Sequence, residues 1–172
     1  MFMKKKYVFK PYCNSFPALF TKEKEKIENF LPKGSCIEHV GTSSVPGLGG
    51  KGIIDIAIAV NKSEMECAKT ILQELGYEFG LSFSTQDRFY LRIYLPDSKE
   101  SLRRYHIHLT YKFSKEWKAL VAFRDYLIDH PNVMQEYAQT KKQAAMIANE
   151  DGEIYRNIKE PLIQKIYDLM NT

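Results

Sequence analysis

Residues 37–60 read IEHVGTSSVPGLGGKGIIDIAIAV, and the fold follows from how that stretch divides. A short apolar run ends at Gly41. A loop of small residues follows, rich in Gly and Ser with one Pro. A second run, Ile54 to Val60, carries a single acid, Asp55, among Ile, Ala and Val. Side chains alternate along a strand, so Ile54, Ile56, Ile58 and Val60 share one face, and Asp55, Ala57 and Ala59 share the other. The bulky face is expected to meet the core. The small face leaves room above Asp55, for a ligand or for a closely packed helix. Loop glycines let a ligand approach the main chain. Thr42, Ser43 and Ser44 add hydroxyls beside backbone N–H groups, and such a turn can cradle phosphate if a short helix opens at Ser43 or Ser44. The structural alternative is a turn capped by an acid.

Two further strands are legible downstream. Phe89, Leu91, Ile93 and Leu95 alternate with Arg88, Tyr90, Arg92 and Tyr94, the pattern of a half-buried strand. After a turn at Pro96 to Lys99, Tyr105, Ile107, Leu109 and Tyr111 alternate with Arg104, His106, His108 and Thr110. If these strands join one sheet in a consistent register, Asp55, the arginines and the imidazoles lie on one floor. That floor resembles a ligand surface more than a solvated face; the alternative is a sheet whose second face meets water.

Helices are expected on either side of this core. Residues 1–14 read as an extended lead-in. Ser15 is placed to cap a helix through about Leu31, with the run Lys22 to Lys26 facing solvent. Ser63 with Glu66 suggests a capping box, opening a helix that ends at Gly76. Tyr77 to Phe83 reads as a weak strand or a loop. Ser114 caps a helix to about Ile128, Pro131 suits the first turn of the next, and Asp151 caps a last one that Pro161 should kink or divide. His39, two residues before Gly41, either points at the loop or is a buried, hydrogen-bonded structural histidine, the reading preferred.

Composition bounds the classes. A chain of 172 residues with 44% apolar content suits one domain, 1–172, with a sheet core over 35–111 and C-terminal helices over 114–171. A formal charge of +4 permits a phosphate-bearing ligand without demanding nucleic acid, and no recurring basic–aromatic interleaving is counted in its favour. No run reaches the ~18 apolar residues of a membrane span. Cys13, Cys36 and Cys67 form no CxxC pair. With no apolar core behind the basic MFMKKKYVFK start, this suggests reduced thiols in a cytoplasmic protein, Cys36 and Cys67 serving as small packing residues.

The run HVGTSSVPGLGGKGIIDI resembles the signature of the GrpB family, a branch of the nucleotidyltransferase superfamily. The resemblance extends through RYHIHL at 104–109, Phe123 to Leu127, His130-Pro131, Tyr137, Lys141, Tyr155 and Lys159. It implies an α/β fold, a nucleotidyltransferase-like mixed sheet of four or five strands with flanking and C-terminal helices. There are departures: Phe16 stands where a Trp is usual, Thr42 where Ser is, Gly52 where Pro is, and Ala57 where the superfamily's second metal-binding acid would be.

Three functional expectations follow. In the first, the protein is an enzyme that binds a nucleoside triphosphate with Mg²⁺ or Mn²⁺ and transfers a nucleotidyl group to an acceptor the sequence does not name. Gly41, Thr42, Ser43 and Ser44 would hold the phosphates, Asp55 the metal, and basic side chains the developing charge. Lys51, Arg88, Arg92, Arg104, Arg124, Lys141 and Lys159 are candidate phosphate binders, of which the resemblance raises Arg88, Arg104, Lys141 and Lys159. In the second, Ala57 marks a catalytically reduced module of the same fold that binds a nucleotide or phosphate ligand. In the third, the protein is a metalloenzyme, for instance a hydrolase, in which His106, His108 and Asp55 hold a transition metal such as zinc or manganese; across the three readings Zn²⁺ is less expected than Mg²⁺ or Mn²⁺. Tyr137 and Tyr155 either stack a base or, more simply, pack between helices.

Overall fold

In the computed structural model, which describes residues 8–171, the two runs that frame the small-residue loop are β1 (Cys36–Val40) and β2 (Ile54–Val60). They pair antiparallel, with Val40 opposite Asp55. With β3 (Glu78–Phe79), β4 (Phe89–Asp97) and β5 (Ser101–Tyr111) they form a five-stranded sheet in the order β1-β2-β5-β4-β3. The β2–β5 pair is parallel and the others are antiparallel. The sheet is therefore mixed and the fold α/β, as expected. Of the expected extended lead-in, residues 1–7 lie outside the described residues.

The alternation in β2 decides the layering. Ile54, Ile56, Ile58 and Val60 point to the side that also carries Leu91, Ile107 and Leu109, and α1 (Phe16–Glu28) and α2 (Met65–Glu74) cover it through Phe16, Ile27, Met65, Ala68 and Leu72. Full burial of a side chain of the size of Ile, Leu, Met or Phe contributes roughly 1.5–3 kcal/mol. The opposite side receives α3 (Lys115–Asp129), α4 (Pro131–Ala148) and α5 (Gly152–Met170). Their core joins Val45 and Leu48 of the loop to Leu127, Tyr137, Leu162 and Ile166. Helix α3 packs on β1 and β2, where Ala57 and Ala59 are wholly buried. The small face thus takes a close-packed helix over its two alanines, while Asp55 at the loop end stays partly accessible. Among the described residues, no helix is long and apolar enough to cross a membrane.

Several local expectations are corrected. The run Lys22 to Lys26 is not a solvated face throughout: Glu23 is buried, accepting hydrogen bonds from Tyr77 Oη and Lys26 Nζ. Ser15 makes no side-chain cap; its hydroxyl bonds Cys13 Sγ at 3.0 Å, and the helix ends at Glu28. The capping box is Asn61 with Glu64, opening a 3₁₀ turn ahead of α2, not Ser63 with Glu66. Strand β4 runs on through Pro96 to Asp97. Pro161 does not divide α5, because Tyr155, Leu162 and Ile166 bury the helix on both sides of the missing bond. Cys36 and Cys67 are exposed, not small residues packed in the core. The caps at Ser114 (from Trp117 N, 3.0 Å) and Asp151 (from Glu153 N, 2.8 Å) are as expected.

Candidate functional site

The register places the three polar strand faces on one floor. Asp55 is the partner of His106 across β2–β5, and His106 is the partner of Arg92 across β5–β4. Asp55 Oδ1 lies 3.2 Å from His108 Nε2 and 3.3 Å from His106 Nδ1. An ionised carboxylate only accepts, so both imidazoles donate to the same oxygen. Burial alone would raise the Asp55 carboxyl, but these two hydrogen bonds and the imidazole charges hold it well below the ordinary carboxylate range. Burial pushes His106 below its ordinary value, against the opposing pull of Asp55. The second nitrogens, His106 Nε2 and His108 Nδ1, are buried with no hydrogen-bond partner among the described residues.

The turn that follows β1 is built around the same carboxylate. Gly41 has φ +70°, and a Cβ there would stand 2.6 Å from Asp55 Oδ2; only glycine admits the acid so close to the chain. Thr42–Ser44 form a single 3₁₀ turn. Within it Ser44 Oγ donates to Gly41 O at 2.6 Å, and the buried Ser43 Oγ meets His39 Nε2 at 2.9 Å. His39 stacks on Phe20 at 4.7 Å. It is the structural histidine preferred above, its pKa lowered to about 4, chiefly by burial. Farther along the loop, Gly50 pairs with Lys10, and Arg103 Nη1 donates to Gly52 O at 2.7 Å. Arg103 is buried on the core side and held by Asp97 at 2.8 Å.

Above Asp55 opens a cavity of about 180 Å³. Its floor is Asp55 and His106, its near wall Gly41, Thr42, Lys51 and Ile53, and its far wall Tyr137 and Lys141 of α4 with Tyr155 and Lys159 of α5. Lys141 is 1% exposed, and its Nζ has no hydrogen-bond partner among the described residues. It lies 5.0 Å from the centre of the Tyr137 ring. Lys159 and Lys51 approach the Tyr155 ring at 4.4 and 5.5 Å. Burial, then the charges of Lys159 and Lys51, press Lys141 well below the ordinary lysine value; burial also lowers Lys159. Three amines thus converge on a space that holds one carboxylate.

Comparison with known proteins decides the family: the model of the GrpB protein family matches residues 7–169. The chain belongs to the GrpB family. It is 31% identical over 163 residues to UPF0157 protein BH1888 of Halalkalibacterium halodurans, covering 93% of this chain and 80% of that one. It is 30% identical over 146 residues to UPF0157 protein YqkA of Bacillus subtilis, but covers only 41% of that longer protein. Among solved structures, conserved protein GrpB from Enterococcus faecalis superposes with a TM-score of 0.70 at 24% identity, covering 93% of this chain and 99% of that one. The Cid1 poly (U) polymerase aligns at a TM-score of 0.43 and 9% identity, too remote to inform chemistry.

Within this GrpB fold the site residues expected from sequence fall into three groups. Gly41, Thr42, Lys51, Asp55, His106, Lys141 and Lys159 meet at the cleft, and His108 supports it through Asp55. Ser43 and Ser44 do not line it; the Ser43 hydroxyl meets His39 of β1 and the Ser44 hydroxyl donates to Gly41 O. Arg88, 3.6 Å from Glu116, and Arg124, bound to Glu38 at 2.7 Å, lie outside it, as does Arg104 beside Tyr94. The three-ligand metal reading of Asp55, His106 and His108 is not met: the oxygen faces the ring nitrogens themselves, and among the described residues no three His, Cys, Asp or Glu side chains are set to hold an ion. Sequence reasoning missed Arg103, visible only as a charge in the core-facing alternation Arg103, Tyr105, Ile107, Leu109. The alternation of Arg88, Tyr90, Arg92 and Tyr94 read from the sequence falls on β4, with Arg92 between Tyr90 and Tyr94 on one face and Arg88 just before the strand.

Proposed function

We propose that this GrpB-family chain binds the phosphate groups of a nucleoside triphosphate in the cleft above Asp55. The observation that supports this reading is the Lys141 amine, buried without a hydrogen-bond partner among the described residues, beside two further lysines. A buried cation that no counter-ion bonds is costly, and a phosphate supplies both the charge and the acceptor oxygens. Loop residues Gly41 and Thr42 add a close main-chain approach from the other wall.

The residues present do not assemble a two-ion centre. Among the described residues Asp55 is the one carboxylate lining the cleft, one of its oxygens serves two imidazoles, and Ala57 stands where a second acid would be needed. No step is therefore routed through Mg²⁺ or Mn²⁺. Nucleotidyl transfer is the second reading, favoured by Asp55 being held ionised directly against Gly41 at the mouth of the turn.

The test is calorimetric titration of ATP, GTP, CTP and UTP, in EDTA and with Mg²⁺ or Mn²⁺, on wild type, Lys141→Met and Asp55→Asn. Binding in EDTA is expected, weakened about tenfold or more by Lys141→Met and retained in Asp55→Asn. Because a phosphate favours the charged amine and burial disfavours it, binding is expected to weaken as pH rises. Failure of every nucleotide and of inorganic tripolyphosphate to bind would overturn the reading. Metal-dependent pyrophosphate release, lost in Asp55→Asn, would put nucleotidyl transfer first.

A further inference from the structure

The cleft is too small for a whole nucleotide. At about 180 Å³ it falls below the roughly 300–1,000 Å³ of pockets that enclose drug-sized ligands. If the phosphates sit among the lysines, the nucleoside must lie outside, and the sheet floor continues in one direction. From Asp55 on β2 it passes His106 on β5 and reaches β4, two strand spacings away, or roughly 10 Å. On the same face there stand Tyr94, directly opposite Arg104, and Tyr90, opposite His108. Tyr94 is 50% exposed. Arg104 has no ion pair among the described residues, whereas its neighbour Arg92 is held by Glu78 through two 3.0 Å bonds. Tyr90 is fixed edge-on to His106 at 5.0 Å and braced from the other side by Phe83 at 5.4 Å. The result is an open shelf with an exposed aromatic ring and an unspent guanidinium, joined to the cleft through His106.

We infer that this shelf, Tyr94 and Arg104 backed by Tyr90, binds the nucleobase of the nucleotide whose phosphates occupy the lysine cleft. The inference rests on the phosphate reading above and adds where the base lies. Every base has a face that stacks on an aromatic ring, and an arginine contributes through its planar cation. The shelf therefore selects nucleotides over bare polyphosphate and discriminates weakly among the four bases. A mononucleotide suits it better than a strand, because Arg92 and Arg88 are already engaged by Glu78 and Glu116, which leaves Arg104 alone beside the two rings.

The experiment compares ATP, UTP, inorganic tripolyphosphate and a single-stranded oligonucleotide of about ten residues as calorimetric ligands for wild type, Tyr94→Ala and Arg104→Gln. Both side chains lie on the accessible face, so the variants are expected to fold, and their melting curves check it. Tyr94→Ala should weaken ATP about tenfold and leave tripolyphosphate unchanged; Arg104→Gln should act in the same sense. Wild type binding ATP no better than tripolyphosphate, or Tyr94→Ala leaving ATP within about twofold, would overturn the shelf while leaving the phosphate cleft standing. A Tyr94-dependent preference for the oligonucleotide over ATP would overturn it in favour of a nucleic-acid strand. If neither ATP nor tripolyphosphate binds, the cleft reading fails and the shelf falls with it.

Discussion

Lys141 sits where the fold alone gives it little. Its amine is buried, without a hydrogen-bond partner among the described residues, and crowded by two like charges, an arrangement that folding alone does not favour. Lys141→Met keeps the volume and removes the polar group. It should raise the unfolding free energy by roughly 1–3 kcal/mol in chemical denaturation while weakening phosphate binding, a pairing of opposite signs that a purely structural lysine would not show. Gly41→Ala is expected to fail in the other direction. The φ of +70° and the 2.6 Å approach to Asp55 Oδ2 leave no space for a Cβ, so a loss of at least about 1–3 kcal/mol should appear in the same assay. Gly47→Ala is the control: its φ is +83°, but the nearest atom is Met134 Cε at 3.5 Å, so it carries backbone strain without the collision. At this scale Gly41 and Asp55 were legible from residue type and spacing, whereas Lys141 and Lys159 stood out only through the family resemblance. That Ser43 and Ser44 turn inward was not, since a hydroxyl's direction depends on the turn's closure and on His39.

Between elements, His39 couples β1, the 3₁₀ turn and α1. Its folded pKa of about 4 lies below the ordinary 6.5. The unfolded chain therefore binds more protons between those values, and the contribution of His39, ~3 kcal/mol, is fully present above pH 6.5 and lost as pH falls to 4. His106, lowered in the same direction, adds to the slope. Urea titrations from pH 7 to 4 should show falling stability in wild type and a shallower fall in His39→Phe. Strands were the most legible elements. Period-two alternation marked β2, β4 and β5, and the shared floor followed because β5 lies between β2 and β4. Glu23 shows the limit of such patterning: it looks solvated inside a charge run, yet Tyr77, distant in sequence, reaches its carboxylate. The capping box moved from Ser63 to Asn61 because a 3₁₀ turn intervenes before α2, and local signals do not distinguish the two starts.

Taken whole, the molecule divides its cleft between two regions of the chain. The turn and β2 supply one wall, and Lys141 and Lys159 arrive from helices that follow the sheet in sequence. A principal polar link between these parts is Arg124 of α3, which donates to Glu38 Oε2 at 2.7 Å and to His39 O at 2.9 Å on β1. Arg124→Ala touches no part of the cleft, yet it should cost roughly 1–3 kcal/mol in denaturant titrations and weaken phosphate binding as well, measured by calorimetry. An affinity measured in solution is the intrinsic affinity reduced by the fraction of molecules whose helices are seated on the sheet. Ligand and seating thereby become reciprocal effectors. A nucleotide that joins Lys141 to Thr42 would clamp the C-terminal helices to the sheet, and any partner that lifted those helices would release it without entering the cleft.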